Sequence, residues 1–369
     1  MKIFFDQSTT IILPPQKTDY LIGSDLIGNL HTINDIKNKQ YTKFLILSDR
    51  VVFALFNNQV IQSLKKINRN VLVSTIIPGE RAKNISNISS IIKPFFHKGF
   101  DRNSCLIALG GGVTTDLGGF IASILLRGID CIYIPTTLLN QVDGAIGGKT
   151  GVDFWQTKSL MYKNMLGTIR QPNMVISDLD TLQTLPEREV KSGLGEMVKY
   201  WIGWGIPTVD QLSDIFNNLH NLTKRDVLVK VIVNCQKIKL GIIQKDPFDT
   251  LGLREKLNLG HTIGHAIEAA ALGQLSHGES VAIGLVAAAK TSLLKGILTK
   301  ENYEKIKKTI LKLGLPTKAK KLDKQKIIAA LKLDKKAGKF VLIENIGKLK
   351  TGIIVEEKLI NKVLTEIIV

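Results

Sequence analysis

Residues 105–116 read CLIALGGGVTTD: an aliphatic run that ends in three glycines, followed by threonines and an aspartate. A short, unbroken apolar run bounded by glycine reads as a strand buried on both faces. Glycines directly after such a strand allow a tight turn. Where a helix then starts, they also let backbone N–H groups approach an anion. The pattern is neither G-x-G-x-x-G nor a P-loop, since no Lys-Ser/Thr follows, so alone it is equally compatible with a plain strand-to-helix turn.

Working outward, four more runs have the same character: KFLILSD (43–49), VLVSTIIPGE (71–80), CIYIPTT (131–137) and NMVISDLD (173–180). Helical patterns separate them, which predicts a parallel α/β sheet with crossover helices, a Rossmann-like lobe over residues 1–180. From Leu182 onward long amphipathic helices take over, with Pro186 of TLPEREV near a helix start. KFVLIENIGKLKTGIIV (339–355) is the exception and reads as a hairpin turning between Asn345 and Lys348. Residues 181–369 are therefore expected to form a second, mainly α-helical lobe, with a ligand-binding cleft between the two.

Composition narrows the function. The 369 residues carry a net charge of +18, with 44% hydrophobic and 22% charged residues. The excess cation is lysine rather than arginine, it is scattered apart from a cluster across 300–340, and no aromatics interleave with it as stacking platforms. This argues against nucleic acid and suits an anionic small molecule drawn to a basic surface. The 3 cysteines, Cys105, Cys131 and Cys235, follow no C-x-x-C pattern, which fits a reducing cytoplasm. MKIFFDQSTT has an apolar patch broken by Asp6, so no signal peptide is expected, and no apolar run approaches a membrane span.

LNLGHTIGHAIEAA (257–270) places His261 and His265 four apart on one helical face, and SHGESVAIG (276–284) adds His277 at a helix start. Three of the chain's 6 histidines thus fall within 261–277. GLGEMVKY (193–200) sets Glu196 and Lys199 on one face among glycines and apolar residues, which is unusual for a solvated pair. Two or three imidazoles with one inward carboxylate suggest a divalent metal with an open position. H-T-I-G-H lacks the glutamate of H-E-x-x-H, which disfavours a metalloprotease. PTTLLNQVDGAIGGKTG (135–151) gathers Thr136, Thr137, Asp143 and Lys149, either as a phosphate and polyol pocket or, for Asp143 and Lys149, as a structural ion pair. Asp49, Glu80 and Lys83 end two strands at the sheet edge where open α/β sheets bind dinucleotides.

GGGVTTDLGGF, PTTLLNQVDGAIGGK, KNMLG, DLDTLQTLPERE, SGLGEMVKY, LREKLNLGHTIGHAIE, HGESVAIG and DKKAGK together resemble, in order and spacing, the 3-dehydroquinate synthase family. The resemblance runs from about Asp49 to Lys339. It implies that NAD and one divalent metal, usually zinc with cobalt an alternative, serve the conversion of 3-deoxy-D-arabino-heptulosonate 7-phosphate to 3-dehydroquinate and phosphate. It implies Glu196, His261 and His277 as metal ligands, His265 as a proton-transfer residue, and Asp143, Lys199 and Asn258 at the substrate hydroxyls. Lys149, Asn164 and Lys335 or Lys336 would hold the phosphate, with Arg127 supplied across a homodimer, and Lys239 and Arg254 the carboxylate. NAD would be contacted by Asp49, Glu80, Lys83, Gly111, Gly112, Val113, Asp116, Thr136, Thr137, Lys149, Lys163, Thr181, Leu182 and Thr184.

Three departures from the family pattern stand out. Thr115 replaces a usual glycine, and the connection from Lys149 to Asn164 is longer, which makes Lys158 a rival to Lys163. QKDPFDT replaces an acidic run after Lys239, which makes Lys237 its rival. Competing activities are a sugar phosphate cyclase of the 2-deoxy-scyllo-inosose or epi-valiolone type, whose substrate lacks the carboxylate, and a metal-dependent alcohol dehydrogenase.

Overall fold

A computed structural model describes residues 17–155, 161–219, 224–333 and 339–369. Six strands form one parallel sheet: β1 (Asp19–Gly23), β2 (Phe44–Asp49), β3 (Val71–Ile76), β4 (Cys105–Gly110), β5 (Asp130–Pro135) and, after a hairpin of β6 (Val152–Trp155) and β7 (Met161–Leu166), β8 (Met174–Asp178). Their order is β1-β8-β5-β4-β2-β3, every neighbouring pair parallel. The five strands read from sequence are all present. Two features were not anticipated: the edge strand β1, five half-buried residues long, and the β6–β7 hairpin, whose polar MYKNML strand shows no alternation.

Alternation along the strands explains the two cores on the sheet. Leu45, Leu47, Leu106 and Ala108 face one side, against Ile91 and Phe95 of α3 (Ile88–His97) and Leu117 and Ile121 of α4 (Gly112–Ile124). Phe44, Ile46, Ile107 and Leu109 face the other, against Phe56, Val60 and Leu64 of α2 (Arg50–Lys65); α1 is the short turn Asn34–Lys37. From β2 the chain winds outward to β3, then returns to β4 on the other side of β2. That reversal opens a crevice at the carboxyl ends of β2 and β4, bordered by Asp49 and Gly110.

The remainder is mostly helical: α5 (Glu187–Trp204), α6 (Val209–Asn218), α7 (Arg225–Ile243), α8 (His261–Ala271), α9 (His277–Leu294), α10 (Lys300–Lys312), α11 (Lys324–Leu333) and α12 (Glu357–Ile367). β9 (Lys339–Asn345) and β10 (Lys348–Ile354) form the expected hairpin. Helix α9 is apolar on all sides and lies at the centre of this half, which is why VAIGLVAAA shows no stripe. A Cβ on Gly278 would collide with the carbonyl oxygen of Ser192, and one on Gly284 with that of Gly260. Helix α9 therefore meets both α5 and the start of α8 backbone to backbone, and that closeness sets the distances in the site. Among the described residues no helix is long and apolar enough to cross a membrane.

Candidate active site

The close crossing of α5, α8 and α9 brings three side chains from three helices together. Glu196 Oε1 lies 3.1 Å from Nε2 of His261 and 2.9 Å from Nε2 of His277. His265, one turn after His261, turns its exposed ring edge-on to His261, with centroids 5.0 Å apart. The ligand atoms of His261, His265 and His277 lie within 4.8 Å of one another. Nδ1 of His261 faces the carbonyl of Leu259 at 3.0 Å, which leaves Nε2 free for the centre.

This donor set suits a cation. Burial pushes the Glu196 carboxyl up, but Lys199 and the two imidazoles hold it well below the usual range. His277 loses from burial yet is lifted to about 10 by Glu196 and Glu268. Glu196 Oε2 is buried, makes no hydrogen bond, and has only an ion-pair contact with Lys199 Nζ at 2.5 Å. Imidazole nitrogens around a charged oxygen, with the His265 ring exposed beside them, suit a divalent metal ion.

Beside the centre lies a buried network of opposite charges. Asp143 sits in an irregular turn, Asn140–Gly144, after β5. Its Oδ2 accepts from Lys239 at 2.8 Å, and Oδ1 accepts from Lys199 at 3.4 Å and from the hydroxyl of Tyr200. Burial raises Asp143, but the two ammonium groups outweigh it and bring it to about 2. Burial and Lys199 together lower Lys239, against the pull of Asp143. Arg254 is buried next to Gly147 and donates to the carbonyl of Pro247. Lys237 is exposed, so Lys239 is the lysine of that pair that joins this network. Asn258 ends the turn Leu253–Asn258, three residues before His261.

At the sheet edge Gly111 precedes α4, whose first residues, Gly112 and Val113, begin the helix at the reversal point. Thr115 is buried in the first turn of α4, where its hydroxyl donates to the Gly112 carbonyl at 3.2 Å. Asp49 caps α2, accepting from Val51 and Val52. Lys83, almost fully buried, bridges Asp116 at 2.5 Å and Oδ1 of Asn164 at 2.6 Å. Lys163 reaches Glu268 at 3.0 Å and Glu80 at 3.9 Å. Thr136 is buried with an unpartnered hydroxyl, and the Thr137 hydroxyl accepts from the Asn140 N–H. Thr181, Leu182 and Thr184 line the turn after β8.

The phosphate-side residues are less gathered. Lys149 does not pair with Asp143, which excludes the structural ion pair considered from sequence; it contacts Asp249 at 2.6 Å, from the loop after α7. Arg127 is exposed and pairs with no acid among the described residues. Lys335, Lys336 and Lys158 lie outside the described residues. Sequence reasoning missed Tyr200, Glu268, Asp153 and Asp249. Tyr200 and Glu268 fall inside motifs quoted above, next to Lys199 and three residues after His265, so their helical spacing was the available signal.

Residues 73–192 match the family described as 3-dehydroquinate synthase N-terminal, and residues 193–337 match 3-dehydroquinate synthase C-terminal. A 3-dehydroquinate synthase of Desulforamulus reducens is 42% identical over 265 residues, covering 72% of each chain. One from Thermodesulfovibrio yellowstonii is 43% identical over 284 residues, 76% of this chain and 77% of that one. Among solved structures, 2-deoxy-scyllo-inosose synthase complexed with carbaglucose-6-phosphate, NAD+ and Co2+ superimposes with a TM-score of 0.83 at 25% identity, covering 94% and 96% of the two chains. Glycerol dehydrogenase from Schizosaccharomyces pombe, with a TM-score of 0.66 at 15% identity over 98% and 91%, shares the fold.

Proposed function

The chain belongs to the 3-dehydroquinate synthase family, and from that premise we propose how its residues divide the reaction. It is a carbon–oxygen lyase of the shikimate pathway that converts 3-deoxy-D-arabino-heptulosonate 7-phosphate to 3-dehydroquinate and phosphate. The observation that carries the assignment of the site is the convergence of Glu196, His261 and His277 from three helices at 2.9–3.1 Å, next to the Asp143–Lys199–Lys239 network. We assign those three residues to one divalent metal, zinc in preference to cobalt, and the crevice at Asp49, Gly111 and Gly112 to NAD. When bound, NAD lends a reversible hydride acceptor and the metal a Lewis acid for the hydroxyl being oxidised.

The chain's own groups then bind and orient. Asp143 and Lys199, with Asn258, hold the substrate hydroxyls, and exchanging one partner in that network for a hydroxyl leaves no buried charge unpaired. His265, its ring exposed beside the centre, takes or returns a proton within the site. Lys239 and Arg254 face the carboxylate, while Lys149 and Asn164 hold the phosphate. Clamping both ends of an anionic substrate fixes the geometry for elimination and ring closure, which is the larger part of the rate effect. Lys239 and Arg254 beside the centre favour a substrate with a carboxylate over sugar phosphates that lack one. We also assign a homodimer, supported by exposed Ile124 and Leu126 next to Arg127 in the chain, and a cytoplasmic setting, supported by three free, buried cysteines.

Phosphate release from the heptulosonate phosphate tests the reading. Release requires NAD in catalytic amounts and stops with a chelator. NADH accumulating one-for-one with product would instead mark a dehydrogenase, and release in a chelated, NAD-free sample would remove the basis of the assignment.

A further inference from the structure

Glu268 belongs to neither the metal ligands nor the substrate contacts proposed above. It lies on α8, two turns after His261 on the same face of the helix, and is mostly shielded from solvent. Its Oε2 faces Nδ1 of His277 at 3.0 Å, and its Oε1 accepts from Nζ of Lys163 at 3.0 Å. The other nitrogen of the same ring, Nε2, faces Glu196 at 2.9 Å. An imidazole gripped at both nitrogens has one orientation, and a carboxylate at Nδ1 places the ring proton there, leaving the Nε2 lone pair for a cation. Lys163 carries the connection onward. It stands on β7 beside Asn164 and within ion-pair distance of Glu80 at the sheet edge.

We propose that Glu268 is a positioning residue for the metal centre, fixing the tautomer and ring direction of His277 and, through Lys163, tying that ligand to the hairpin that carries Asn164. The inference rests on the assignment of His277 to a metal. A glutamate serving only the surface would pair with Lys163 alone. Here the carboxylate spends one oxygen on each partner, and the two partners come from opposite sides of the cleft.

Zinc affinity separates the possibilities. Chelator-stripped wild type, Glu268→Ala, Glu268→Gln and Lys163→Met are titrated with Zn2+ against a chromophoric competitor, and the Co2+-loaded forms are compared by visible absorption. Glu268→Ala weakens zinc binding about 10- to 100-fold. Glu268→Gln is isosteric, so it carries the test if the alanine variant does not fold; it keeps a carbonyl acceptor for the Nδ1 proton and shows a smaller loss. Lys163→Met leaves the His277 contact intact, so its zinc Kd stays within about threefold of wild type and its Co2+ bands do not move, whereas those of Glu268→Ala do. Unchanged affinity in both Glu268 variants overturns the inference. So does an equal loss in Lys163→Met and Glu268→Ala: Lys163 contacts Glu268 and not His277, so the tie to the hairpin rather than the carboxylate on the ring would then be responsible. A wild type that binds no zinc at all would defeat the metal assignment itself, a result distinct from either.

Discussion

Glu196 and Lys199 are each 1% exposed and meet within the helical core, while Lys149, at the other end of the proposed site, is 53% exposed and held by a single acid on a loop. At the end proposed for the metal, side chains come from helices packed backbone to backbone on α9, so their geometry is set before any ligand arrives. At the end proposed for the phosphate, the groups stand on a hairpin and a loop, and their present partners are other protein side chains. Catalytic geometry that must be accurate is placed on packed helices, where displacement is costly. Recognition of a phosphate, a diffuse and strongly charged group, tolerates cations that adjust as it binds.

The largest expected effect breaks the metal end. His277→Ala should lose bound metal and lower phosphate release about a thousandfold or more, whereas His265→Ala should retain metal while losing activity. Metal analysis of both purified proteins checks this, and equal metal loss would exchange their roles. Lys149→Ala sharpens the contrast: metal content stays at the wild-type level and the main change is a KM raised about tenfold.

Glycines give an intermediate effect with opposite outcomes at the two ends. Gly278→Ala forces α5 and α9 apart and should cost about 1–3 kcal/mol by chemical denaturation, with weaker metal binding. An added Cβ at Gly112 meets nothing within 4 Å. Gly112→Ala should leave stability within about 0.5 kcal/mol of wild type and instead raise the KM for NAD. Equal destabilisation by both would remove the distinction between the ends.

The smallest effect is a pH dependence at the hairpin. Asp153 is buried, accepts the Asn164 N–H at 2.9 Å, and has a second oxygen without a partner. Burial, opposed by that hydrogen bond and reinforced by Glu80, lifts its carboxyl from 3.8 to about 6. Between those values the folded state holds a proton that the unfolded state has released, so stability falls as pH rises through this window and stays lower above it. Asp153→Asn keeps the acceptor without the charge. It should raise Tm by about 1–2 °C at neutral pH, with the gain vanishing below the lower value, as read by thermal scans across pH. A gain that persists in acid would mean the carboxyl is not the source.

Much of this was legible in the residues themselves. Strands buried on both faces declare themselves as apolar runs, and histidine is rare enough that three within 261–277 marked the centre. What stayed hidden depends on partners far apart in the chain. Asp143 and Lys149, six apart, looked like a possible pair, yet each turns to a distant partner, Lys149 to a residue 100 positions away. The hydroxyl of Tyr200 reaches an acid 57 positions earlier. Strand β1 gave no signal because an edge strand is only half covered and needs no continuous apolar run.

Helices that touch main chain to main chain leave nothing between them to trim or enlarge. The spacing of Glu196, His261 and His277 therefore cannot be retuned by repacking, because any added carbon acts as a wedge that shifts all three at once. Adjustment of this centre is confined to the three side chains themselves and to the ring of groups just outside them.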